Sequence, residues 1–187
     1  MAKLVLASAS PRRREILGMM GIEFEAVNSQ VGEEQKGKEI PRRYVLRLAK
    51  EKAEAVAQKY PGEWILAADT AVVLGNKIIG KPRDGADAER ILSKLSGKQH
   101  KVLTGIALFN GRCCMMNIVS SKVKFRKLSA QEIKNYVNTG EPMDKAGAYG
   151  IQGRGAFLVE SVSGSYTNVI GLPVKETREM LSMAGIL

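Results

Sequence analysis

Lys3-Leu-Val-Leu-Ala-Ser-Ala-Ser-Pro-Arg-Arg-Arg-Glu-Ile-Leu-Gly-Met-Met-Gly21 passes from a buried strand into a helix with scarcely a loop between them. The apolar run Lys3 to Ala7 reads as the strand. Ser10 suits an N-cap and Pro11 the first helical position, while Ile16, Leu17 and Met20 form an apolar stripe that Gly21 ends. A strand feeding directly into a helix is the opening unit of an α/β domain.

The flanking sequence extends this pattern. Ile22 to Val27 reads as a second strand, followed by a polar, irregular segment from Asn28 to Ile40. Pro41 opens a helix to about Gln58, with Val45, Leu48, Ala49, Ala53 and Val56 on one face. Trp64 to Ala68 has the continuous apolar character of a fully buried strand, and Ala71 to Ile79 reads as a hairpin turning at Gly75-Asn76. Asp84 or Asp87 starts a helix carrying Ala88, Ile91, Leu92 and Leu95, closed by Gly97. Strands at Val102–Phe109 and Met115–Phe125 flank the turn dipeptide Asn110-Gly111. Ser129-Ala-Gln-Glu132 is a capping box for a helix to about Asn138, ended by Gly140. A Gly-rich loop from Gly147 to Gly155, a strand from Ala156 to Val162, a turn at Ser163-Gly164-Ser165 and a helix from Pro173 complete the chain. This mixture of parallel-type and hairpin connections predicts a mixed α/β sheet with flanking helices.

The 187 residues fit one domain, or one domain with an inserted lobe, and the 44% hydrophobic content supports a sizeable core. No apolar run approaches the roughly 18 residues of a membrane helix, and the N-terminal stretch lacks a signal-peptide layout. The expectation is a soluble, cytoplasmic protein. Cys113 and Cys114 are neighbours that a strand would point to opposite faces, so a mutual disulfide would be strained. With His100 as the only histidine there is no zinc-type set, and the thiols are expected reduced and buried or half-buried. The net charge of +10 favours polyanionic partners: nucleic acid, anionic lipid or phosphorylated metabolites. Aromatic residues make up only 5%, with no stacking platform or nucleic-acid motif, which argues against nucleic acid.

Three features break local rules. Arg12, Arg13 and Arg14 occupy the first turn of a helix, where the macrodipole is already positive. An anion at that helix start, met by free N–H groups and guanidinium forks, makes sense of them; Arg13 lies in line with the apolar stripe and Arg14 points to the surface. Lys52 interrupts the stripe at 45, 49 and 56, so its ammonium either snorkels outward or meets a buried anion. Asp69 ends the buried run Trp64 to Ala68, a position beyond the carboxyl end of a strand where α/β sheets place chemistry. Gly32-Glu-Glu-Gln-Lys-Gly37-Lys38-Glu39 falls short of a phosphate-binding loop, since it ends in Glu rather than Ser or Thr. Gly150-Ile-Gln-Gly153-Arg-Gly155 likewise lacks the opening of a dinucleotide fingerprint.

Together Leu6-Ala-Ser-Ala-Ser-Pro-Arg-Arg13, Ala49-Lys-Glu-Lys-Ala53, Ala67-Ala-Asp-Thr70, Gly80-Lys-Pro82, Leu95-Ser-Gly97, Asp144-Lys-Ala-Gly-Ala-Tyr-Gly-Ile-Gln-Gly153 and Gly171-Leu-Pro173 closely resemble the Maf family of nucleoside triphosphate pyrophosphatases. The resemblance spans nearly the whole chain. It implies a single domain over 1–187, elongated and two-lobed with a central cleft, as in inosine triphosphate pyrophosphatases. It also implies cleavage of the α–β phosphoanhydride with a divalent cation, Mg²⁺ or Mn²⁺, and admits a homodimer. By motif, Asp69 would be the general base and Glu33 its acidic partner, both toward the metal. Gln30 and Gly32 stand where the family frequently has acids, so Glu34 is the alternative to Glu33. Ser8, Arg12, Arg13, Lys52 and Lys81 would bind phosphates. Arg12, Thr70 and Gln152 match the branch that prefers dTTP and UTP rather than the one acting on 7-methyl-GTP. An amide at 152 suits a pyrimidine, donating to a carbonyl and accepting from the ring N–H. The competing class is a basic regulatory protein acting in cell division or on nucleic acid.

Overall fold

The computed structural model describes residues 3–187, and over them the chain is an α/β protein built on one mixed sheet. Strand β1 (Leu4–Ala7) is followed by helix α1 (Pro11–Met19), β2 (Phe24–Val27), α2 (Pro41–Ala57) and β3 (Trp64–Leu74). Next come β4 (Lys77–Ile79), α3 (Gly85–Leu95), β5 (Gln99–Phe109), β6 (Cys114–Phe125) and α4 (Ala130–Val137). Three short 3-10 segments (Glu141–Asp144, Ala146–Ala148 and Gly153–Leu158) lead to β7 (Val159–Ser163), α5 (Tyr166–Ile170) and α6 (Val174–Met183). Among the described residues the seven strands run β2-β1-β3-β5-β6-β7, with β4 folded back on β3. β1 is parallel to both β2 and β3, whereas β4 on β3 and β7 on β6 are antiparallel.

The residues cluster into two compact units. The first takes the chain up to Thr70, then Thr104–Val119 and Gly171–Leu187; the second takes Ala71–Leu103 and Ser120–Ile170. In the first, the stripe of α2 packs Ala49, Ala53 and Val56 on Val5, Ala7, Ile65, Ala67 and Ala107 of the sheet. The small side chains on both sides bring the helix close. At Gly105 the approach is backbone to backbone: an added Cβ would stand 2.5 Å from the Val45 carbonyl oxygen. That contact fixes the height of α2, and with it Lys52, over the sheet. In the second unit, Ala88, Ile91, Leu92 and Leu95 of α3 share a core with Val102, Val123, Phe125, Ile133 and Leu158. His100 is buried there between Phe125 and Tyr149, edge to face at 5.0 and 5.4 Å.

The structure departs from the sequence expectations at several places, β5 for one starting at Gln99 rather than Val102. β3 does not stop at Ala68 but runs through Asp69 to Leu74, because the carboxylate has a buried cationic partner and need not end the strand. Ala156–Leu158 belong to a 3-10 segment, so β7 starts only at Val159, and the Gly147–Gly155 stretch is likewise partly 3-10. Helix α5 was not anticipated; its five residues are too few for a periodic stripe, and it is held instead by Asn168, which donates to Val102 O and Ser121 Oγ. The β5–β6 turn centres on Gly111 and Arg112 rather than on Asn110-Gly111, since Asn110 Oδ1 accepts from the N–H groups of Arg112 and Cys113. Cys113 and Cys114 are both exposed, not buried, because they fall at this turn and at the exposed start of β6.

Candidate active site

The register Leu6↔Leu66 lets β3 continue past the end of β1, so Asp69 follows where the chain of β1 has already turned away through Ser8. The rule that ligands sit at strand carboxyl ends therefore holds for β1, and Asp69 reaches that end from mid-strand. The side chains of Asp69 and Lys52 are each 7% exposed. Lys52 Nζ donates to Asp69 Oδ1 at 2.6 Å and to Glu33 Oε1 at 2.7 Å. The lysine in the apolar stripe of α2 thus faces a buried anion rather than snorkelling. Burial raises the Asp69 carboxyl above its usual range, opposed by Lys52 and then Arg13.

Glu33, not Glu34, presents its carboxylate to Lys52. The irregular segment before α2 is tied to that helix by the Tyr44 hydroxyl, which donates to Glu33 O at 2.8 Å, and by Arg47, which donates to Glu34 O at 3.1 Å. Arg47 also forks onto Glu39 (2.7 and 2.9 Å) and reaches Glu51 at 3.0 Å. Burial, with the nearby charges of Asp69 and Glu33, pushes the Tyr44 phenol up to about 12, which keeps it a donor.

On the other flank, Arg13 is fixed on three sides. Nε donates to Gly171 O (2.8 Å), Nη1 to Ser8 Oγ (3.3 Å) and Nη2 to Thr70 Oγ1 (3.1 Å). The hydroxyls of Thr70 and Thr104 are 2.9 Å apart. Gly171, whose carbonyl meets Arg13, is at φ +125°, a backbone conformation that side chains rarely adopt. Burial draws the Arg13 guanidinium below its usual range, while Asp69 and then Glu33 push it back.

Of the sequence-predicted residues, Glu33, Lys52 and Asp69 form one hydrogen-bonded cluster and Ser8, Arg13 and Thr70 a second, both within the first unit. Arg12 is half-buried beside Arg13 in the same helical turn, and Arg14 is exposed as expected. Lys81 (exposed, between β4 and α3) and Gln152 (half-buried, preceding the last 3-10 segment) belong to the second unit. Tyr44, Arg47 and Thr104 were missed. Tyr44 and Thr104 act through backbone or hydroxyl contacts that only the folded chain creates; Arg47 has a local sign in its i,i+4 pair with Glu51, but its contacts to Glu34 O and Glu39 arise only on folding. Gly171 had appeared only as part of a motif, 158 residues from its partner.

These two clusters bring a buried carboxylate, a bridging lysine and a fixed arginine to the carboxyl end of β1. Known proteins carry a similar sequence. The dTTP/UTP pyrophosphatase of Myxococcus xanthus (strain DK1622) is 51% identical over 183 residues, covering 98% of this chain and 93% of its own. The dTTP/UTP pyrophosphatase of Geobacter metallireducens is 50% identical over 190 residues, covering 100% and 98%. That of Symbiobacterium thermophilum is 49% identical over 185 residues, covering 99% and 95%. Among solved structures, the Staphylococcus aureus Ham1 protein overlaps 66% of this chain and 71% of its own at a TM-score of 0.39 and 10% identity, a likeness too distant to bear on function. The model of the Maf-like protein family matches residues 3–184, and with relatives half identical from end to end this chain belongs to that family.

Proposed function

We propose that the protein is a cytoplasmic nucleoside triphosphate pyrophosphatase that hydrolyses dTTP and UTP to the monophosphate and pyrophosphate, clearing nucleotide pools. The observation that carries this reading is the Lys52 ammonium bridging Asp69 and Glu33 beside the arginine-bearing start of α1, in a chain half identical to dTTP/UTP pyrophosphatases.

Anhydride hydrolysis asks a protein to hold the triphosphate, spread its charge and aim a water. Arg12, Ser8 and the N–H groups at the start of α1 bind phosphate oxygens. Arg13 adds its charge, held in place by Gly171 and Thr70. Asp69 takes the proton of the attacking water as the α–β bridging bond breaks and its electron pair leaves with pyrophosphate. A carboxyl raised by burial is a stronger base than an exposed one, and Lys52 opposes that rise in favour of the charged form. Lys81 and Gln152 keep the roles implied by their motifs, phosphate and pyrimidine.

Glu33 and Asp69 fit a divalent cation, Mg²⁺ or Mn²⁺: both carboxylates already converge on one cationic atom, and Mg²⁺ is held by one or two carboxylates plus substrate phosphates. Among the described residues no group of three His, Cys, Asp or Glu side chains gathers as a metal site; Glu33 and Asp69 are the residues that would hold the ion. Such an ion, when bound, supplies charge neutralisation to the phosphates.

The test is a panel of nucleoside triphosphates, 7-methyl-GTP included, incubated with purified protein and Mg²⁺ or Mn²⁺. Pyrophosphate and monophosphate should appear fastest from dTTP and UTP, and Asp69→Asn should remove turnover. Release of orthophosphate, preference for 7-methyl-GTP, or an active Asp69→Asn protein would each refute the corresponding part.

A further inference from the structure

In the second unit, Gln152 lies on a short loop with one end bonded to the Glu141 carboxylate and the other to it through the Tyr136 hydroxyl. Glu141 Oε1 accepts from the Tyr136 hydroxyl (2.9 Å) and from the Gly155 N–H (3.0 Å), and Oε2 accepts from the Arg154 N–H (3.0 Å). The Tyr136 hydroxyl accepts in turn from the Gly150 N–H at 3.1 Å. Residues 150 and 155 are therefore bound to the same Tyr136–Glu141 pair, one from each side of Gln152. They also touch: a Cβ on Gly155 would stand 2.3 Å from Gly150 O and 2.5 Å from the Tyr136 hydroxyl oxygen. Lys145 Nζ anchors the base of the arrangement by donating to Glu141 O at 2.6 Å. Tyr136 is buried, and burial holds its phenol above the usual range, so it remains a donor to the carboxylate.

We infer that Glu141, acting with Tyr136, is a positioning residue that fixes Gln152 and thereby sets the choice of base. The inference rests on the reading of Gln152 as the residue that meets the pyrimidine. An amide tells thymine or uracil from cytosine only by direction. It must donate to a carbonyl and accept from a ring N–H, where cytosine offers an amino group and a bare ring nitrogen. The amide must also stand at the right distance from the base edge for both bonds to form, and a loose loop would carry it away. Three charge-assisted hydrogen bonds that one carboxylate accepts from the loop backbone and Tyr136 hold the backbone that carries Gln152, and so the point from which its amide reaches the base. Bases that leave polar groups unmatched are then rejected by large factors.

The experiment measures kcat and KM for dTTP and dCTP in the wild type and in Gln152→Ala, Glu141→Ala, Glu141→Gln and Tyr136→Phe, each checked for a cooperative thermal melt. Glu141→Ala should lower the dTTP:dCTP ratio of kcat/KM by about tenfold or more, mainly through KM for dTTP. Tyr136→Phe should shift the ratio the same way by less. Glu141→Gln, whose carbonyl still accepts from a loop N–H, should recover part of it, which a general loss of folding would not do. If Gln152→Ala loses the ratio while Glu141→Ala and Tyr136→Phe keep it, Glu141 has no positioning role and Gln152 stands alone. If Gln152→Ala itself keeps the ratio, the base reading of Gln152 falls and this inference falls with it. Should Glu141→Ala not fold, Tyr136→Phe decides between these outcomes.

Discussion

Replacing Lys52 by Met separates the two halves of the buried cluster. Lys52 and Asp69 are equally hidden, each with 7% of its side chain exposed, while Glu33 is 42% exposed. Asp69→Asn therefore leaves an ammonium that still has Glu33 at 2.7 Å, whereas Lys52→Met leaves a buried carboxylate without its bonded cation. Removing one partner of a buried pair costs about 3–5 kcal/mol when the other stays charged and uncompensated. Losing one hydrogen bond to a group that keeps a second partner costs about 1–3 kcal/mol. With an m-value of about 2 kcal/mol per molar urea, the midpoint should fall by about 2 M for Lys52→Met and about 1 M for Asp69→Asn. The double variant leaves neither charge stranded, so its loss should be smaller than the sum of the singles by about 1–3 kcal/mol. The pH dependence has a definite sign. Burial already raises the Asp69 carboxyl and Lys52 opposes that rise, so removing Lys52 raises it further; the folded variant then binds protons more readily than the folded wild type, and Lys52→Met should gain stability relative to the wild type as the pH falls. Urea unfolding of all four proteins at two pH values is the assay. Equal losses for the two singles, or a strictly additive double variant, would refute the asymmetry.

His100 carries a second pH dependence. Burial lowers its imidazole to about 4 from an unfolded value near 6.5, so its contribution is full above pH 6.5 and is lost as the pH falls toward 4. Between pH 7.5 and 5.0 this is worth about 2 kcal/mol, and the urea midpoint of His100→Phe should lack that part of the acid sensitivity. Arg13→Lys keeps the charge but cannot reach Gly171, Ser8 and Thr70 together, so kcat/KM should fall by about 10- to 100-fold. Wild-type kinetics in Arg13→Lys would show that only the charge matters there.

Much of this was written locally in the chain. The strand-to-helix opening, the apolar stripes of α2 and α3, and the capping box at Ser129 are short-range patterns, and the structure contains each of them. Lys52 and Asp69 stood out because each violates a local pattern that only the other can justify, though their pairing spans 17 residues. What stayed hidden depends on contact between distant segments. β3 was expected to stop at Asp69 because nothing nearby said that its charge would be neutralised. The brace of Glu141 and Tyr136 joins an α4 residue to backbone N–H groups, which sequence patterns do not register.

Misplaced cations alone would have marked two helices rather than one. The first turn of α2 also lacks an acid or a side-chain cap and carries Arg42 and Arg43, just as that of α1 carries Arg12 and Arg13. Helices α3 and α4, by contrast, are capped by Asp84 and Ser129 and have acids in their first turns, as the macrodipole favours. Burial separates the two exceptions. Arg42 and Arg43 are exposed, where water screens the unfavourable charge to almost nothing, while Arg12 and Arg13 are half-buried and Arg13 is fixed by three hydrogen bonds. A cation held out of water at the positive end of a helix is an arrangement that an arriving phosphate relieves. That is why the arginines of α1, and not the equally basic start of α2, belong to the proposed site.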